Sequence, residues 1–140
     1  MNGSYAWYVS QFVILTDMKK VYSPSDVINA PLSGAYEANG LVFVSGQVHA
    51  DAEWRLHGET IEEKLEVAMS NVKRILGEAG LTLANVIHVR LFVTDIKELP
   101  ALNTTYKTYF THPMPARTAV CVAALPLGAN VEVEVIASRD

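Results

Sequence analysis

The sequence has a single cysteine, Cys121, so no disulfide can form within the chain, and a reducing compartment, the cytoplasm, is the expected setting. It is short of positive charge: 11 Lys and Arg against 15 Asp and Glu leave a net charge of −4. Nucleic acid is therefore not expected as a partner, because its recognition normally needs a basic stripe. No apolar run reaches the roughly 20 residues that cross a bilayer, so no membrane association is expected. Residues 5–15 come nearest, but Ser10 and Gln11 interrupt them. No positive charge precedes that run and no small-residue cleavage site follows it, so it makes a poor secretory signal. The four histidines (His49, His57, His88, His112) lack ligand spacing, and no metal is expected. Repeats, low-complexity tracts and linkers are missing too, which leaves one compact domain.

What is present is apolar. Half of the 140 residues are hydrophobic and 19% are charged, enough for a real core and a weak hint of a surface buried between subunits. Met18-Lys19-Lys20 would serve as a natural start, which makes residues 1–17 an extension and residues 18–140 the domain. Alternatively Tyr5, Trp7 and Val9, at period two, form an added edge strand or cover an apolar patch.

Residues 19–23 read as a short strand, followed by a turn region with Pro24, Asp26, Asn29 and Pro31. Asn39-Gly40 is a strong hairpin signal ahead of a strand over residues 41–48. Within that strand, Ser45-Gly46 is locally unfavourable and marks either a plain bulge or a close approach to the backbone. Thr60 and Glu63 form a capping box, and Ile61, Leu65, Ala68, Met69, Val72, Ile75, Leu76 and Ala79 repeat at helical spacing up to a terminating Gly80. Met69 is expected in the core. Residues 86–94 form a strand apolar enough that either face could point inward. Asp95 caps a brief turn, and Pro100 opens a second helix to about Thr111 whose apolar side is Leu102, Tyr106, Tyr109 and Phe110.

Residues 115–135 are organised as two strands around Pro126-Leu127-Gly128-Ala129-Asn130, read as adjacent and joined by a short connection. Arg117 opens the first, on the side of Ala119, Cys121 and Ala123, whose small side chains leave room for a ligand. Glu132 and Glu134 share one face of the second, and periodicity does not choose between them.

Four stretches, in order, resemble the RidA/YjgF/UK114 family over roughly residues 20–139. They are Ser33-Gly34-Ala35-Tyr36, Val44-Ser45-Gly46-Gln47, Asn103-Thr104-Thr105-Tyr106, and Pro115-Ala116-Arg117 with Val131-Glu132-Val133. The resemblance implies an α+β, chorismate-mutase-like fold, a mixed sheet with two helices on one face, assembled as a homotrimer with clefts between subunits. It also implies hydrolytic deamination of 2-aminoacrylate-type enamines and imines to 2-keto acids and ammonia, without a cofactor. Arg117 would hold the carboxylate of a small-molecule substrate, and Glu132 would activate water or shuttle a proton. Tyr36, Ser45, Gly46, Asn103 and the Ala119 amide would complete the substrate-binding cleft. The alternatives are a non-catalytic carboxylate-binding or protein-interaction trimer, and an endoribonuclease or translation inhibitor. Ala35 and Glu37 depart from the family pattern, and a Glu37 facing the cleft would repel an acid substrate.

Overall fold

The computed structural model describes residues 19–140; the expectations for residues 1–17 lie outside the described residues. Asn39 and Gly40 both take positive φ, 53° and 75°, which suits a two-residue turn matched to strand twist. They join β2 (Ala35–Ala38) to β3 (Leu41–Val48) as an antiparallel hairpin. The edge strand β1 (Lys20–Tyr22) pairs with β2, and the turn region between them contains a single helical turn, α1 (Ser25–Ile28).

The long helix α2 (Ile61–Glu78) begins as the capping box requires. Thr60 Oγ1 accepts from the Glu63 amide at 3.2 Å, while Glu63 Oε2 accepts from the Thr60 amide at 3.3 Å. Its apolar stripe, Met69 included, is buried against the sheet. α3 (Leu99–Tyr106) packs beside it and stops earlier than the spacing predicts, at Tyr106 rather than near Thr111. Thr108 accounts for the early end: its amide and hydroxyl both donate to the Thr105 carbonyl, a local turn that competes with helix continuation. Tyr109 and Phe110 still pack against the core from this turn. No helix among the described residues is long and apolar enough to cross a membrane.

The six strands run in the order β1-β2-β3-β6-β4-β5, with β4 (Val86–Val93), β5 (Ala116–Cys121) and β6 (Val131–Ser138). The expectation that β5 and β6 are adjacent is corrected here. β4 lies between them, parallel to β5 and antiparallel to β6. Residues 122–130 carry the chain across β4 through a 3-10 turn at Pro126–Gly128, a connection too long for a tight hairpin. The order suits the residues: β4 is apolar enough to take an interior position, whereas β5 exposes most of its side chains. Ala123 falls outside β5. The face of β4 is also settled: Val89, Leu91 and Val93 point to the helices, and a register shift between Val86 and His88 explains why strict alternation fails there.

Glu37 faces the helix side of β2, opposite to Tyr36, and is 6% exposed. The Arg139 guanidinium engages both its oxygens, Nη2 to Oε2 at 2.9 Å and Nε to Oε1, while Tyr22 donates its hydroxyl at 2.6 Å. Arg139 Nη2 also donates to the Ala79 carbonyl at 2.8 Å, tying the end of the chain to the end of α2. The Arg139 hydrogen bonds pull the Glu37 carboxyl down to about 2, against the opposing effect of burial. Arg139→Ala should destabilise the fold by about 2–3 kcal/mol, less than for a fully buried pair because the guanidinium is partly exposed. A denaturant midpoint at pH 7 measures this. Since a depressed acid contributes stability above its unfolded value, the difference should shrink as pH falls from about 4.5 towards 2.

Candidate active site

The residues singled out in the sequence fall into two groups, one on each face of the sheet. The first lies on the face without helices. Tyr36 and Ser45 line a concavity of about 360 Å³ with Ser33, Phe43, Val44 and Glu134. β3 and β6 slip register between Val44 and Gln47, so Ser45 and Gly46 together oppose Glu134. The feature at Ser45-Gly46 is thus a bulge, and it is also a close approach. A Cβ on Gly46 would stand 2.8 Å from Glu132 Cδ and 3.2 Å from its Cγ. The Glu132 carboxyl rests where any side chain at 46 would have to be.

Register places Glu132 and Glu134 on the same face, opposite Phe92 and Arg90 of β4. Their surroundings separate them. Arg90 Nη1 reaches both Glu134 oxygens at 3.3 Å, so Glu134 is paired. Glu132 makes no side-chain hydrogen bond or ion pair among the described residues, and burial, aided by the Glu134 charge, pushes its carboxyl above the ordinary value. Such a group can hold or release a proton nearer neutrality than an exposed carboxylate. Ser45 Oγ donates to the Ser33 carbonyl at 2.7 Å, which leaves its lone pairs free to accept, as an amine or imine N–H requires.

The second group lies on the helix face at the β5 edge. Arg117 pairs in register with the buried Val89 and points towards α3. Its Nη1 donates to Asn103 Oδ1 at 2.7 Å, and its guanidinium carbon lies 4.6 Å from the centroid of the Tyr106 ring. Among the described residues one hydrogen bond and one cation–π contact fix the fork while leaving it exposed, with donors free for a carboxylate. Ala119, two residues along, is half-buried on the same face of this edge strand. Among the described residues no strand pairs with the outer side of β5, so it offers main-chain donors beside the guanidinium.

Tyr36, Ser45, Gly46 and Glu132 are therefore brought together, as are Asn103, Arg117 and Ala119, but within one chain the sheet separates the groups. Tyr106 was expected only as apolar packing; its role as the platform under Arg117 has a sequence signal in the Asn103–Tyr106 spacing, which puts both on one helix face. No group of three or more His, Cys, Asp or Glu could hold a metal ion among the described residues.

The geometry at the bulge gives a direct test. Gly46→Ala should cost little stability, because the atoms it meets belong to a movable side chain, but it must displace Glu132. A fall of about tenfold or more in kcat with a nearly unchanged Tm is the expected result, if Glu132 acts in the reaction.

Comparison with known proteins assigns the relationship. The sequence model of the family described as Endoribonuclease L-PSP matches residues 25–139. A RutC family protein of Aquifex aeolicus is 39% identical over 125 residues, covering 87% of this chain and all of that one. A 2-iminobutanoate/2-iminopropanoate deaminase of Capra hircus is 38% identical over 108 residues, 76% of this chain and 79% of that one. The crystal structure of E. coli TdcF with bound serine superposes with a TM-score of 0.73 at 29% identity, covering 79% of this chain and 90% of that one. With its mixed sheet and helices on one face, the chain belongs to the RidA/YjgF/UK114 family, the one described as Endoribonuclease L-PSP.

Proposed function

We infer that this protein hydrolyses small enamine and imine acids to 2-keto acids and ammonia. The observation that carries this reading is the half-buried Glu132 carboxyl, without a partner among the described residues, on one face of the sheet, and a guanidinium held ready for a carboxylate on the other. Two relatives support it: one bears the name of an imine deaminase, and one holds serine, which carries the same α-carboxylate and amine.

Since the two groups face opposite ways, a complete site needs a second copy of the chain. We take the assembly to be a closed ring of three, in which the Glu132 face of each copy meets the Arg117 edge of the next. Exposed Tyr36, Phe43, Ile87 and Val120 give the sheet an apolar surface for such a contact. Light scattering should return the mass of three chains.

In the completed site Arg117 takes the substrate carboxylate as a two-pronged pair, which lysine cannot match. Ser45 Oγ accepts from the nitrogen, and the Tyr36 hydroxyl steadies it. A 2-aminoacrylate-type enamine first gains a proton at its terminal carbon and loses one from nitrogen, giving the imine. Water then adds to the imine carbon, passing a proton through Glu132 to nitrogen. The adduct's hydroxyl proton then passes to the nitrogen, the carbon–nitrogen bond breaks as the hydroxyl oxygen becomes the keto carbonyl, and ammonia leaves. All atoms come from substrate and water.

The experiment generates 2-aminoacrylate enzymatically and follows keto acid release with and without this protein. Faster release is expected; unchanged release by correctly assembled protein overturns the reading for that substrate. The family description favours a second reading, RNA cleavage. The acidic balance opposes it, since a single-strand platform needs cations and aromatic side chains together. The lone cysteine, exposed at the end of β5, fits a reducing compartment such as the cytoplasm.

A further inference from the structure

His49 follows directly after β3 and is 2% exposed, yet the proposed reaction gives it no part. Both its ring nitrogens are engaged. Nδ1 lies 2.7 Å from the His57 carbonyl oxygen, which can only accept, so Nδ1 carries the proton. Nε2 accepts from the Asn130 backbone amide at 3.1 Å. The two contacts together require the neutral ring in one tautomer.

Asn130 is the last residue before β6, and it is held from several sides. Lys64 of α2 donates to its Oδ1 at 2.8 Å, its Nδ2 faces Thr94 Oγ1 at 3.4 Å, and its carbonyl accepts from the Thr94 amide at 3.2 Å. Glu132 lies two residues further on, and pairs in register with Val48, the neighbour of His49. The His49–Asn130 bond joins the start of β6 to the residue that follows β3, beside the ladder that pairs Glu132 with Val48 and Phe92.

We propose that neutral His49 is a positioning residue for Glu132, a latch that fixes the start of β6 and lets go when the ring takes a second proton. This rests on the reading of Glu132 as the proton-transfer group. Protonation would turn Nε2 from acceptor to donor, set it against the Asn130 amide, and place a cation near Lys64. The other titratable groups at this point are His57, whose carbonyl receives Nδ1, and Asp51, whose Oδ2 lies 2.7 Å from His57 Nε2. Burial, with Lys64 and His57 adding to it, lowers the readiness of His49 to charge, against the hydrogen bond to His57. The unfolded chain takes the proton first. The latch therefore contributes fully above the ordinary histidine value near 6.5, and progressively less as pH falls below it.

The test compares the wild-type assembly with His49→Gln, whose amide can donate to His57 and accept from Asn130 without titrating. Hydrogen-exchange protection of the Asn130 and Glu132 amides is followed from pH 7.5 to 5, with the β2 amides as internal reference. In the wild type, protection at 130 and 132 should fall about tenfold or more while β2 holds; in the variant it should stay level. Flat protection in the wild type, or an equal fall in both proteins, overturns the proposal. Where the glutamine variant does not fold, His49→Asn takes its place and the wild-type arm still decides. Deaminase kcat over the same range is the functional arm: an additional acid loss in the wild type, missing from the variant, is expected. Identical kcat profiles beside the protection change overturn the link to Glu132. A protein inactive at every pH defeats the deaminase reading and, with it, the functional role given to His49, whereas the protection data judge the latch by themselves.

Discussion

Arg117→Ala should abolish the acceleration of keto acid release while the assembly keeps its mass. The guanidinium is exposed at the β5 edge, and among the described residues its partners are Asn103 and the Tyr106 ring, so its removal leaves the core intact. What is lost is the one cation placed to receive the substrate carboxylate in the second group. Losing one partner of a charge pair that becomes buried on binding costs ~3–5 kcal/mol, roughly two to four powers of ten in kcat/KM. Arg117→Lys should recover only part of this, since it restores the charge but not the planar fork. A rate within a factor of about three of wild type in the alanine variant would remove Arg117 from the mechanism. Tyr106→Leu should lie between these limits, acting mainly on KM through a less ordered guanidinium.

Glu132→Gln should have the second large effect, and of a different kind. The amide keeps the shape above Gly46 but cannot transfer a proton, so kcat should fall by about 10²–10⁴ with little change in KM. Stability should move the other way. A carboxyl raised by burial and by Glu134 binds its proton more readily in the folded chain, so its ionised form near pH 7 works against folding. In the separated chain, where no neighbouring Arg117 offsets this, Glu132→Gln should thus melt at a higher temperature than wild type at pH 7, a gain that disappears at a pH where the acid is protonated. A variant that loses both rate and thermal stability would mark Glu132 as a structural residue. Glu134→Gln supplies the control: it breaks an exposed pair with Arg90, and its effect on kcat should be far smaller.

How much of this could be read from the residues differs from place to place. Local chemistry was legible: Asn39-Gly40 has the φ values its turn needs, Thr60 and Glu63 cap α2 as written, and Gly46 interrupts β3 where glycine suggested it. The position of β4 between β5 and β6 was not, because periodicity reports which way a side chain points and never which strand lies alongside. Glu132 and Glu134 have the same periodicity; Arg90, brought across by the register of β4, and the space above Gly46 distinguish them. The Glu37–Arg139 pair spans almost the whole domain, beyond the reach of any local pattern, and it removes the concern that Glu37 faces the cleft. His49 carries no motif at all, since its meaning lies in contacts to residues 57 and 130.

That the sheet keeps the carboxyl and the guanidinium apart has a consequence for inheritance and dosage. If each site is shared between neighbours, an Arg117 variant co-expressed with the normal chain spoils one site per defective copy and spares the rest, so it acts as a diluent and not as a dominant poison. Two inactive chains, one lacking the guanidinium and one lacking the carboxyl, would complement each other when reassembled together, with roughly a quarter of the sites sound in an equal mixture.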